Sequence, residues 1–361
     1  PVRGSRTWAT ALAPHSRGGW NFITQSYEYK SNDPTEFVVL DLDTGKYQIF
    51  EGPPRDYSNQ NYKVENELRA QNGRIFFPEL ETEMAYYDPA DETVKQLGKM
   101  IDPPEGNKTI YRVAFGPNGK LYGSTLSTDL PAEFELDPDT LKHRVIGKVG
   151  KTRYTYSYGY FLAVDPPWVY VAVGEKPWEL AAIRIDTGES RILATRTDEP
   201  FMHLKVETDG ITAKLVSGFR TAKQREDMVW CADGKTFPFD PARRARKPFA
   251  PRVVAPVRGM LSNPPELDLS SLAPDSNGVG HVYWRPRGSN GPWTDRPFHV
   301  KYTSPVDLES LIALPDGTLL GNAKQYHGFF RYNPTTKAVE AYGTHGPSRG
   351  PRVFVDGLVY I

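Results

Sequence analysis

The chain has 361 residues, 44 Lys and Arg against 44 Asp and Glu, and a formal net charge of +0. That balance removes any global electrostatic pull toward nucleic acid or an anionic membrane. A single cysteine, Cys231, excludes an internal disulfide framework, and no apolar run reaches the length of a membrane span. The composition favours strands over helices: 20 Tyr, 17 Phe and 7 Trp, punctuated by 32 Pro and 31 Gly. The sequence opens at Pro1 without a signal-peptide pattern and reads as a segment of a longer or processed polypeptide.

Two turn signals alternate along the chain. One is a short Gly turn between apolar runs, at Asn72-Gly73, Asn118-Gly119, Asp209-Gly210, Asp316-Gly317 and Asp356-Gly357. The other follows roughly twenty residues later, at Leu42-Asp43-Thr44-Gly45, Tyr87-Asp88-Pro89, Leu136-Asp137-Pro138, Ile185-Asp186-Thr187-Gly188 and Tyr332-Asn333-Pro334. Asn-Gly and Asp-Gly supply the positive φ of tight hairpins, whereas Asp-Pro and Asp-Thr-Gly suit slightly longer turns. Two hairpins per repeat of about fifty residues give four strands per repeat, so the expected fold is an all-β propeller of four-stranded blades.

In chain order, blade one covers residues 6–53, with strands near 7–12, 20–27, 37–42 and 47–50. Blades two, three and four cover 65–101, 109–149 and 154–197, with Asp165-Pro166-Pro167 replacing the Gly turn in the fourth. Blade five spans 201–241, blade seven 306–343, and residues 352–361 supply two strands of a further blade. Between them, 243–302 holds one clear hairpin, 281–286 with 294–300, after a Pro-rich and poorly patterned stretch, 243–280, whose candidate inner strands are 252–257 and 260–261. If this is a blade, the count is eight with the last truncated. If it is an insertion, the count is seven. Eight is preferred, in a single domain over 1–361. The basic run Arg243-Arg244-Ala245-Arg246-Lys247 reads as a solvated linker, since no aromatic interleaving suggests nucleic acid.

Strand order puts both hairpin turns of every blade on one face, and the blade-to-blade and strand-two-to-three connections on the other. The turn face is explained by its turn devices alone. The opposite face collects Asn66, Tyr111-Arg112, Arg153, Tyr156, Tyr158, His203, Lys301 and Tyr326-His327, with His299 and His345 beside them. A Tyr at a strand start can simply pack between blades. Tyr, His and Arg gathered around one axial funnel form the usual lining of a ligand site.

Such a lining suits a polyhydroxylated anion: aromatic rings stack on sugar faces, and Arg grips a carboxylate. Glu65, Glu67, Asp307 and Glu309 lie near the inner rim without forming an evident hydrolytic pair. No closely spaced metal motif, dinucleotide fingerprint or nucleophile elbow is present, although histidines of different blades could converge on a divalent metal. β-Elimination at a uronic acid uses these residue types well, because removing the proton α to a carboxylate requires that carboxylate to be neutralised. In that scheme Arg112 holds the carboxylate, His203 or Tyr158 is the base, and His327 or Tyr111 is the acid or a metal ligand. Arg153, Tyr156, Tyr326, Lys301 and Asn66 bind substrate.

In the His, Tyr and Arg character of this face the chain resembles propeller-fold polysaccharide lyases, which act on ulvan, oligogalacturonate and rhamnogalacturonan-type substrates. The resemblance spans the whole chain at fold level, and no diagnostic motif carries it. It implies an anionic polysaccharide or oligosaccharide partner, an extracellular or periplasmic setting and, in many members, a metal. A non-catalytic carbohydrate- or protein-binding propeller would use the same face. A propeller-type glycoside or lactone hydrolase would need an axial Ca²⁺ site of Asp, Asn and Glu, a combination scarce here.

Overall fold

A computed structural model describes residues 6–27, 34–54, 68–79, 82–102, 106–151, 157–174, 177–197, 201–207, 210–215, 228–238, 261–269, 271–272, 278–300, 308–323, 329–341, 353–355 and 358–360. Every regular element among them is a β-strand. Strands β1 (Arg6–Pro14), β2 (Trp20–Tyr27), β3 (Pro34–Asp41) and β4 (Tyr47–Pro54) make a four-stranded sheet in sequence order. The second sheet is β5 (Ile75–Pro78), β6 (Glu83–Asp88) and β7 (Thr93–Lys99), preceded by a bridge of Arg69 to Ile75.

Blade three is β8 (Asn107–Phe115), β9 (Leu121–Ser127), β10 (Ala132–Leu136) and β11 (His143–Lys148). Blade four is β12 (Ser157–Asp165), β13 (Trp168–Val173), β14 (Trp178–Arg184) and β15 (Ser190–Arg196). The two are joined where the start of β12 pairs with the end of β9, Ser157 to Ser127 and Tyr158 to Leu126. Blade five is β16 (Phe201–Glu207), β17 (Gly210–Leu215), β18 (Met228–Ala232) and β19 (Lys235–Pro238).

In the poorly patterned region, the expected hairpin is β21 (Val279–Arg285) with β22 (Thr294–His299), and Trp293 immediately precedes β22. The strand that pairs with β21 is β20 (Glu266–Asp268). The candidate strand at 252–257 lies outside the described residues, and Leu261 is irregular. The next blade is β23 (Leu308–Ala313), β24 (Leu319–Ala323), β25 (Phe329–Tyr332) and β26 (Val339–Ala341), followed by the pair β27 (Val353–Val355) and β28 (Leu358–Tyr360).

Alternation along the strands explains the stacking. Ile75, Phe77, Ala85 and Tyr87 pack with Ala11, Ile23, Phe37 and Val39 of blade one. Phe76, Met84 and Tyr86, on the other face of the same sheet, pack with Ile110, Leu121, Phe134 and Leu136 of blade three. Tyr122 and Ile146 then meet Val164, Val169 and Val171, and Trp168, Tyr170 and Leu180 meet Ile211, Ala213 and Cys231. Blades two, three and four therefore bury both faces, at about 1.5–3 kcal/mol for each fully buried large side chain. Four-stranded sheets stacked in this way are propeller blades. The chain divides into two compact units: residues 1–7, 26–29 and 265–361, and residues 8–25 and 30–264.

Among the described residues the turns form as their chemistry dictates, with one shift of position; Asp209 and the Asp356-Gly357 turn lie outside them. Gly73, Gly119 and Gly317 adopt φ of 84°, 77° and 80°, and each donates its N–H to the carbonyl three residues back. A turn of the same kind, His15 to Gly19, opens blade one with Gly18 at φ 86°. In the outer turns the residue that caps the loop is Asp41, Asp137 or Asn333, whose Oδ1 accepts two backbone N–H groups. Asp41, and not Asp43, therefore holds the blade-one turn; Asp43 accepts the Trp20 N–H instead.

Candidate functional site

The first strands of successive blades share a β-bulge. In β8, Ile110 and Arg112 face Thr125 and Ser124, which leaves Tyr111 as the extra residue. In β12, Gly159 and Phe161 face Val173 and Ala172, leaving Tyr160. In β16, Met202 and Leu204 face Lys214 and Ala213, leaving His203. The fourth strands also bulge, but there the extra residues are Leu97, Ile146 and Leu193, which join the core. Bulges of the outer edge thus serve twist and packing. Those of the first strands leave a polar or charged residue instead: Lys108 and Tyr111 in β8, Tyr160 in β12, His203 in β16 and Glu309 in β23.

Behind the first two bulges, blade three departs from its neighbours. The residue after the bulge, its partner on strand two and that residue's partner on strand three form one cross-strand row. In blade four the row is Phe161, Ala172, Leu180, and in blade five Leu204, Ala213, Val229. In blade three it is Arg112, Ser124, Glu133. Ser124 is fully buried and Glu133 is 1% exposed. The Ser124 hydroxyl donates to Glu133 Oε1 at 2.6 Å, while Oε2 has no hydrogen-bond partner. Burial pushes the Glu133 carboxyl up to about 8, with the Ser124 hydrogen bond opposing it. The acid is therefore mostly neutral at pH 7.

The polar character extends along the ends of the inner strands. Thr125 donates to Asn107 Oδ1 and accepts the Ala132 N–H. Thr109 donates to the Glu79 carbonyl, and Glu79 Oε1 accepts from Gln25. All of these are buried. Blade four has Val173 where blade three has Thr125. At the bulge itself, the Arg112 guanidinium carbon stands 5.6 Å from the Tyr111 ring centroid, a cation–π contact.

Of the residues expected at the site, Tyr111 and Arg112 lie together in the middle of β8, within the strand and not in the connection ahead of it. Tyr158 lies on β12, in regular pairing with Leu126, two residues ahead of the bulge at Tyr160. His203 is the bulged residue of β16. Asn66, Arg153, Tyr156, Lys301, Tyr326 and His327 lie outside the described residues. Sequence reasoning passed over Ser124, Glu133 and the special place of Tyr160. Ala132-Glu133-Phe134-Glu135-Leu136 alternates like a half-exposed strand, which hides the burial of its first glutamate. Among the described residues, no group of three or more His, Cys, Asp and Glu is arranged to hold a metal ion.

No family model matches the chain, and no curated protein sequence matches it. Solved structures do. A virginiamycin B lyase from Staphylococcus aureus, an inactive variant bound to quinupristin, is 12% identical at a TM-score of 0.34, covering 96% of this chain and 87% of that one. An oligogalacturonate lyase in complex with manganese is 12% identical at a TM-score of 0.35, covering 92% and 89%. The extracellular domain of a protein described as a one-component system, from B. thetaiotaomicron, is 10% identical at 0.33, and this chain spans 52% of its length. Likeness at these levels supplies no residue correspondence. The propeller assignment rests on the chain's own sheets: an all-β protein built of four-stranded blades.

Proposed function

We propose that this propeller is a polysaccharide lyase that cleaves a uronic-acid-containing polymer by β-elimination. The observation that carries the reading is the first-strand bulge, which falls on Tyr111, Tyr160 and His203 in three successive blades, next to Arg112, and on Glu309 in β23. In this scheme Arg112 binds the substrate carboxylate and offsets the charge that builds up when the α-proton leaves. His203, or a tyrosine of the β12 segment (Tyr158 or Tyr160), removes that proton as the carbon–oxygen bond to the leaving sugar breaks and a carbon–carbon double bond forms. Tyr111 or His327 protonates the departing oxygen. Arg153, Tyr156, Tyr326, Lys301 and Asn66 make up the remaining saccharide contacts, and a divalent metal would act by the same charge neutralisation as Arg112. An anionic polymer is too large and too polar to cross a membrane, so the reading carries an extracellular or periplasmic location with it.

The test is incubation with a panel of uronic-acid polysaccharides, following the absorbance of the unsaturated product, for the unmodified protein and for Arg112→Ala and His203→Ala. Loss of turnover by about a hundredfold or more with folding retained is the expected result for each variant. Unchanged turnover in both would remove the site. Binding of a polymer without cleavage by the unmodified protein would make this a carbohydrate-binding platform instead.

A further inference from the structure

The buried acid of blade three is unexplained by packing. At its position blade four has Leu180, blade five Val229 and the blade of β23–β26 Phe329. A carboxyl group there has one oxygen without a hydrogen-bond partner, a cost of about 1–3 kcal/mol that an apolar residue would not carry. What the acid does hold is Ser124, and Ser124 lies where two bulges meet. It pairs across β8 with Arg112, the residue after the Tyr111 bulge. It also lies directly beneath Gly159, the residue before the Tyr160 bulge: a β-carbon at 159 would fall 1.8 Å from Ser124 Oγ. The backbone of β12 can approach this closely only because residue 159 is glycine.

We propose that the Glu133–Ser124 pair positions the bulges at Tyr111 and Tyr160, and that deprotonation of Glu133 loosens them. Neutral Glu133 accepts the Ser124 hydroxyl and fixes its rotamer, so Ser124 presents a defined surface to Gly159. An ionised carboxylate at the same place is a charge buried away from water, and opening the junction of β9, β10 and β12 to water is the way to solvate it.

The charged groups around the pair belong to other interactions. Arg112, in the same row on β8, stacks on Tyr111. Glu135, farther along β10, is engaged by Lys120 at 3.0 Å, Arg144 at 3.2 Å and the Tyr122 hydroxyl at 3.0 Å. Lys148 of β11 pairs with Asp129 at 3.1 Å. From β12 the Gly159 backbone covers the site. Burial and the Ser124 hydrogen bond, and none of these charges, set the titration of Glu133.

The inference deepens the lyase reading, since Tyr111 and Tyr160 belong to that site, but its test needs no substrate. Amide hydrogen exchange of residues 157–163 is compared at about pH 6 and about pH 9.5, corrected for intrinsic rates, in the unmodified protein, Glu133→Gln and Glu133→Leu. Gln accepts the Ser124 hydroxyl and cannot ionise; Leu does neither. The expected result is equal protection of the unmodified protein and Glu133→Gln at the lower pH. At the higher pH the unmodified protein should exchange at least about tenfold faster than Glu133→Gln. Glu133→Leu should lose protection at both. Equal protection of the unmodified protein and Glu133→Gln at both pH values overturns the proposal, whether or not the Leu variant folds. Where a uronic polymer is cleaved, the alkaline fall in kcat should move to higher pH in Glu133→Gln. Where none is cleaved, the lyase reading fails and the exchange result still decides the role of Glu133.

Discussion

Glu133 makes a thermodynamic prediction separate from its effect on exchange. Its folded-state pKa is raised to about 8 from an ordinary value of 4.5. Between those two values the native state holds a proton that the unfolded chain has lost. The contribution of this group to stability is therefore complete below the ordinary value and declines as pH rises, until the folded pKa is passed. Relative to Glu133→Gln, the unmodified protein should lose about 2–5 kcal/mol of unfolding free energy between about pH 5 and about pH 8.5, read from denaturant midpoints. A constant difference across that range would show that the acid is not protonated in the native state. Gly159 gives a second residue-scale prediction. Ala there meets Ser124 Oγ and Cβ, at 1.8 and 2.7 Å from the ideal β-carbon, and should cost about 1–3 kcal/mol by overpacking. Combining it with Ser124→Gly should recover part of the loss, because the two sites share one space.

At the scale of the element, the outer hairpins stand on a single carboxylate or amide. Asp137 Oδ1 accepts the N–H groups of Asp139 and Thr140, as Asp41 and Asn333 do in their own turns. Blade four manages without this cap: Arg184 occupies the place and pairs with Asp186 at 2.8 Å. Asp137→Ala should therefore lower stability by about 1–2 kcal/mol without unfolding the blade, measured by thermal or denaturant midpoint. The backbone N–H groups hold the Asp137 carboxyl below its ordinary value of 3.8. Its share of stability is present above that ordinary value and is lost as pH falls through the lowered one. The acid limb of the stability curve should be flatter in the variant. The spacing of these turns was legible from Asp, Pro, Thr and Gly alone. Which Asp caps the turn was not, because Asp41 and Asp43 differ only in where the β3–β4 register ends.

At the scale of the molecule, charge is balanced while the proposed site is cationic. With 44 basic and 44 acidic residues the chain has no long-range field to steer an anionic polymer. Raising ionic strength from about 50 to about 200 mM should therefore change the association rate less than about threefold, whereas Arg112→Ala should act mainly on the dissociation rate. Stopped-flow or surface-based kinetics with a uronic oligosaccharide would separate the two, and a steep salt dependence of association would contradict the reading. Among the described residues no helix is long and apolar enough to cross a membrane.

Local chemistry determined the blades. Glycine at positive φ and Asp-Pro or Asp-Thr turns fix where each strand ends, and alternation fixes which side chains enter the core between one blade and the next. The segment at 243–280 was hardest to read because proline suppresses the alternation a strand would show; its short strand, Glu266–Asp268, is defined by pairing with β21 rather than by its own pattern. Tyr111, Arg112 and His203 could be singled out because strand order gathers Tyr, His and Arg on one face, although each alone could be structural. Only the tertiary structure decided that Tyr111, Tyr160 and His203 share a bulge, since a bulge is a relation between two strands and leaves no mark on either alone. The same holds for Glu133. Along its own strand it is one half of an alternating pair with Glu135; the closing of β12 over Ser124 buries it, and burial keeps its proton in place.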